Sequence, residues 1–353
     1  MKWTVVVMLL LWLNTGGVRA MQPPEQLELL WEQAQLYGIS EENSLEQGTS
    51  SLLQTAKGEL ERILYAGIGT AVKLLGVSLL CSVVQKMEVS QDKRKISASQ
   101  VAGVAAITAL SLSDVSAMIG LGRETIGRME VFSRTLLPAM AVVSALTGHL
   151  NGAAVRQSIT VLFSEFLVLA MDRLLIPMVY CYVAVSCAQA VVGNGGLSRL
   201  SGMIKWGITS FLTGMMLIFV GYLTASGVIA GSVDAAKIKA AKMAISRAVP
   251  VVGGILADAS ETVLAGAGIL KGTVGVVGLL VVLAICITPF LHLAVQYLIY
   301  KGVCALTAVM ADSQICALID AIGSAFGLVL GMTGAAALIL LVSLVSTVSV
   351  VAA

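Results

Sequence analysis

From Ala321 to Ala353 the chain carries no Asp, Glu, Lys or Arg. A run of that length exceeds the roughly 18–20 apolar residues that a helix needs to cross a hydrocarbon core of about 30 Å. Other apolar runs recur from Ile63 onward. A soluble protein of this length could bury a large core, but it would still need a charged surface. Here 58% of residues are hydrophobic and 12% charged, against about 45–50% and about 25% in soluble domains. The 35 glycines and few aromatics suit closely packed membrane helices. The expected fold is all-α: a polytopic helical membrane protein of about eight or nine spans or re-entrant segments.

The N-terminus reads as a separate unit. Lys2 precedes the short apolar stretch VVVMLLLWL, and GGVRA follows. This is the layout of a signal peptide over residues 1–20, cleaved after Ala20, with an uncleaved anchor as the alternative. Residues 21–61 are acidic and expected outside the cytoplasm. Within them Leu27, Leu30, Trp31 and Ala34 share one helical face, either a docking surface or part of a solvated spacer. Residues 62–96 hold a first span and a loop with Lys86, Lys93, Arg94 and Lys95, which the positive-inside rule puts in the cytoplasm. Further spans are expected over 98–119, 135–151, 157–192, 207–230, 249–270, 273–299, 303–321 and 325–352. Of these, 157–192 is too long for one straight crossing, and 135–151 and 249–270 could instead be re-entrant.

Two stretches echo each other, SRTLLPAM from Ser133 and SRAVPVVG from Ser246. Pro138 and Pro177 are 39 residues apart, as are Pro250 and Pro289, so one offset of 112 relates both pairs. The spacing predicts a duplication, with repeat units over 97–210 and 211–325 and a C-terminal span over 326–353. Pro138 and Pro250 would open short helices, where a missing N–H costs little. Pro177 and Pro289 would bend longer ones. Three spans per unit would make the copies inverted, an arrangement with broken helices found in many secondary transporters. The connection 120–134 carries net charge +1 and the connection 234–247 net +3; the more basic copy then falls inside.

Ionisable groups within apolar helices are expensive and mark candidate pathways. Glu165 and Asp172 are seven residues apart on one helical face, with Arg173 beside them. They form either a polar stripe along a cavity, an interhelical lock, or a loop at 172–173. Asp258 and Glu261 make an i, i+3 pair, and His149 falls opposite Glu261 at the 112 offset. Glu165, Asp172, Arg173, Asp258, Glu261 and His149 are therefore the candidate pathway residues, and Pro138, Pro177, Pro250 and Pro289 the candidate helix breaks. Asp114, Lys73, Asp312 and Asp320 stand near expected span ends, where they could snorkel. The chain shows no nucleotide, zinc-protease, nucleophile-elbow or kinase signature, so no catalytic residue, cofactor or enzymatic activity is expected. The six cysteines lack metal or redox spacing, the two histidines are far apart, and no basic, aromatic-interleaved surface suits nucleic acid.

The signal-like start, acidic segment, basic loop, FSRTLLPAMAVVSALTG, ISRAVPVVGGILADASETVLAGAGILKGTVG and apolar C-terminus together resemble the stage III sporulation protein AE family of endospore-forming Firmicutes. The resemblance covers most of the chain and rests on layout rather than a catalytic motif. It implies a permease-like, multi-pass protein of the mother-cell membrane around the forespore. Its implied partners are the other stage III A membrane proteins and the forespore stage II Q protein, in a channel supporting forespore development. The alternatives are a stand-alone secondary transporter of a small solute or a non-conducting scaffold. Besides the bilayer, a second copy of the chain is an open partner.

Overall fold

The structure is a computed structural model that describes residues 35, 45–87, 98–146, 162–193, 195–225, 273–309 and 313–352. The regular elements among them are helices: α1 (Leu45–Met87), α2 (Ala98–Leu146), α3 (Leu162–Val192), α4 (Gly195–Ala225), α5 (Thr273–Thr307) and α6 (Ser313–Ala352). All six contain stretches long and apolar enough to cross a membrane. At 1.5 Å per residue they also exceed the length that one crossing requires. The expected segments 1–20, 249–270, the helix around Trp31, and His149, Pro250, Asp258 and Glu261 lie outside the described residues.

Two of the expected extra spans came from splitting long helices at their charges, whereas 249–270 lies outside the described residues. Residues 120–134, expected as a connection, are helical, and α2 continues through Pro138 instead of restarting there. The charges explain the continuity. Glu124 and Glu130 pair with Arg128 and Arg134 at 2.7 Å, both four residues on, and such pairs support a helix. Likewise 303–321 and 325–352 are not two spans; α5 reaches Thr307 and α6 starts anew at Ser313.

At Pro177, where a bend was expected, the structure shows a widened turn. Met171–Leu175 is a π turn, closed by the Ile176 N–H bonding to the Met171 carbonyl, and an α-helix resumes with Pro177 in its first turn. Pro177 offers no N–H to the Arg173 carbonyl four residues back, and a widened turn accommodates that loss without ending the helix. Pro289 lies inside α5, as its spacing suggested.

Direction follows from contacts between helix ends. The Gln100 side chain near the start of α2 hydrogen-bonds the Ala190 carbonyl near the end of α3 (3.3 Å) and the Gln314 side chain at the start of α6. That lower end therefore gathers the start of α2, the end of α3 and the start of α6, with the end of α5 beside them through Cys304 and Cys316. Helices α3 and α5, which the 112-residue offset superposes, both finish there. They run the same way, whereas an inverted duplication would oppose them.

Helix α6 is the axis. It packs on α5, α2 and α3, and touches α4 along one edge. Every residue from Ile322 to Leu344 is buried. Helix α1 lies outside against α5 and α2, exposing Tyr65, Ile68, Val72, Leu80 and Val83. Because lipid is as apolar as Leu, close packing rather than water exclusion joins such helices, and small residues permit it. On α6, Gly323 and Gly327 do this against α5. A Cβ at Gly323 would stand 3.0 Å from Tyr300 Cβ, and one at Gly327 would stand 3.1 Å from the Tyr297 ring.

Candidate functional site

The close α5–α6 contact presents polar side chains on both of its flanks. On the α2 side, Tyr300 Oη and Gln296 Nε2 each donate to Asp114 Oδ2 at 3.0 Å. Tyr300 is fully buried and Gln296 nearly so. One carboxylate oxygen thus serves two buried donors, which ties α2 to α5, and Ser111 of α2 also reaches the Tyr300 hydroxyl. The Tyr300 ring also meets Phe326 edge-on, with centroids 5.0 Å apart.

On the opposite flank, Lys301 Nζ lies 2.5 Å from Asp320 Oδ1 and donates to Ser324 Oγ at 3.1 Å. Lys205 Nζ, from α4, donates to the same Ser324 oxygen at 3.2 Å. Ser324 is fully buried, whereas the Lys301 and Asp320 side chains are 31% and 44% exposed. The Tyr182 side chain reaches Ser324 from α3, and Lys301 stands 5.8 Å above the Tyr297 ring, within cation–π range. Helices α3, α4, α5 and α6 therefore converge on one serine, with two ammonium groups and one carboxylate around it.

Helical spacing places these groups on continuous polar faces. Tyr182, Ser186 and Gln189 recur at i, i+4, i+7 on α3, and Ser198, Ser201 and Lys205 at i, i+3, i+7 on α4. Ser201 Oγ lies 3.2 Å from Gln189 Oε1, joining the two faces. They border a pocket of about 300 Å³ at the lower end, lined by Ser186, Gln189, Ser198, Ser313 and Gln314. Its α3–α4 rim turns at Gly193, whose φ of 66° is left-handed and whose Cα faces the Gln314 amide. A side chain there would be strained by both conformation and space.

The described candidates from the sequence occupy a separate place, between α2 and α3 and away from the lower end. Asp172 pairs with Arg123 through two oxygens, at 2.5 and 3.2 Å. Glu165 lies 3.7 Å from Arg134, and Arg173 lies 3.9 Å from Asp172. Residues 165 and 172 do share the face that meets α2. Their geometry is that of interhelical ion pairs on an open surface, where such contacts are weak.

Asp114 and Asp320, which looked like groups near span ends, are instead partnered between helices. Gln296, Tyr300, Lys301, Lys205 and Ser324 were not singled out from the sequence. One signal was available: Lys301 and Asp320 stand about two helical turns on either side of the α5–α6 connection, so a hairpin brings them together. Among the described residues no group of three or more His, Cys, Asp or Glu is placed to hold a metal ion.

A bundle of long apolar helices around a buried axis, with charges held between them, defines a multi-pass helical membrane protein. The family model for stage III sporulation protein AE matches residues 35–351. The chain belongs to that family, and it is a sporulation membrane protein. It is similar to the stage III sporulation protein AE of Bacillus subtilis (strain 168), 22% identical over 255 residues. The aligned region covers 72% of this chain and 63% of that relative, less than two thirds of the relative's length. No solved structure matches the chain.

Proposed function

We propose that this protein is a non-enzymatic, permease-like membrane subunit of the sporulation channel between mother cell and forespore. It would act with the other stage III A proteins and the forespore stage II Q protein. The observation that carries the reading is the polar layer through the bundle: Asp114, Lys205, Lys301 and Asp320, from four of the six helices, meet partners between helices rather than reaching past the helix ends. A scaffold made only to gather other subunits gains little from ionisable groups in that position, because each one is expensive to keep there. The lower end, reached by the basic loop, is the cytoplasmic face in this reading, and the acidic segment before α1 faces the space between the membranes. The duplication is retained in parallel form: shifted by 112 residues, α3 falls on 274–304 within α5, and Pro177 falls on Pro289.

Deleting the gene in its host tests the assignment. Sporulation is expected to stall after engulfment while vegetative growth stays normal; a vegetative transport defect with intact sporulation would favour the solitary transporter. Chromosomal Lys301→Gln and Glu165→Ala variants separate the two charged regions. Lys301→Gln is expected to lower spore yield with the protein still present in the membrane. Full yield from both variants would leave the scaffold reading instead.

A further inference from the structure

We infer that the crevice between α4 and α5 is a binding site for a phosphate-type oxyanion, held between Lys205 and Lys301 above Ser324. Charge and access together support the site. Two ammonium groups donate to one serine oxygen, and a single carboxylate, Asp320, is paired with only one of them. With both lysines charged, the cluster carries one positive charge more than its described side chains neutralise. An ammonium group away from water is costly unless it is paired. Lys205 has the Ser324 hydroxyl as its hydrogen-bond partner, a dipole where an anion would serve better.

Among the described residues the crevice is also open. Among these residues, α3 and α4 pack extensively and α5 packs on α6, but α4 and α5 share at most slight contact, so α6 floors a gap between them. Asp320 and Lys301 remain partly exposed in that gap. The polar faces of α3 and α4 lead from the pocket at the lower end towards Lys205, and the cluster reaches Ser324 near the start of the fully buried part of α6. A small oxyanion could enter from the lower end, and a phospholipid headgroup could reach the same lysines from the side. Both present the same phosphate oxygens, and both would complete the charge balance. This site is independent of whether the protein conducts.

The test uses the full chain in a neutral detergent with two arms. Phosphatidylglycerol is titrated and retained lipid counted by native mass spectrometry; inorganic phosphate is titrated by equilibrium dialysis. One equivalent is expected to bind in at least one arm. Binding in the lipid arm alone identifies a headgroup, and binding in the phosphate arm alone identifies a free anion. Lys205→Gln and Lys301→Gln should each weaken that binding by roughly tenfold, the scale of one charge-assisted hydrogen bond. Lys205→Arg should restore it, and Arg199→Gln, an exposed cation outside the cluster, should leave it unchanged. Asp320→Asn should tighten binding several-fold, whereas a purely structural ion pair predicts only a less stable protein. Helical circular dichroism confirms that each variant is folded. No binding in either arm, equal loss in Arg199→Gln, or no tightening in folded Asp320→Asn overturns the proposal.

Discussion

Replacing Asp114 with Ala removes the acceptor shared by Gln296 and Tyr300 and leaves both donors in place. Tyr300 is 0% and Gln296 7% exposed, so neither gains ready access to water in exchange. An orphaned buried donor costs about 1–3 kcal/mol, giving an upper range of about 2–6 kcal/mol for the pair. Two effects bring the expectation to the lower half of that range. Asp114 is itself only half buried, and hydrogen bonds between membrane helices average near 0.6 kcal/mol, because the unfolded chain in the membrane finds partners too. Asp114→Ala is therefore expected to lower stability by about 2–3 kcal/mol. Tyr300→Phe, which leaves Gln296 on the carboxylate, should cost about 1 kcal/mol. The double variant should be less destabilised than the sum, with a coupling near 1 kcal/mol. Asp114→Asn keeps a carbonyl acceptor and should fall between Ala and the natural residue. The assay is reversible unfolding in mixed dodecylsulfate–maltoside micelles, followed by circular dichroism. A loss below about 0.5 kcal/mol for Asp114→Ala, or additivity within about 0.3 kcal/mol, would refute the claim that this carboxylate joins α2 to α5.

Two further predictions concern packing and direction. Gly327→Leu should separate α5 from α6 at Tyr297 and cost about 1–3 kcal/mol in the same assay, whereas Gly214→Ala, with nothing within 4 Å of the added carbon, should be neutral or stabilising. In a cysteine-free background, Lys93→Cys, Gly195→Cys and Val309→Cys should all react with an impermeant maleimide from the same side; reaction of Gly195→Cys and Val309→Cys from opposite sides would rule out a shared lower end.

The class of fold was legible because it follows from a solvent requirement. Long uncharged runs cannot be hidden within a soluble domain of this size, so the chain had to be helical and membrane-embedded. Pro177 and Pro289 also signalled their helices, since a missing N–H is a local property. Charges misled where their neighbours mattered. The Arg and Glu residues of 120–134 looked like a connection, yet their spacing of four holds the helix together. Asp114 and Asp320 looked like groups near span ends because nothing local named Tyr300, Gln296 or Lys301 as partners.

Hydropathy and charge along the chain were sufficient to establish apolar helices and a basic loop, while the likeness to a sporulation family rested on the overall layout and the two Pro-centred segments. None of these could establish that α3 and α5 run in parallel, that α6 is the buried axis, or that Ser324 collects two lysines. Those facts depend on which helix faces lie together, and apolar helices in lipid have little hydrophobic preference among partners. Small-residue contacts such as Gly323 against Tyr300, and interhelical hydrogen bonds such as Tyr300 to Asp114, make that choice, and their partners lie far apart in the chain.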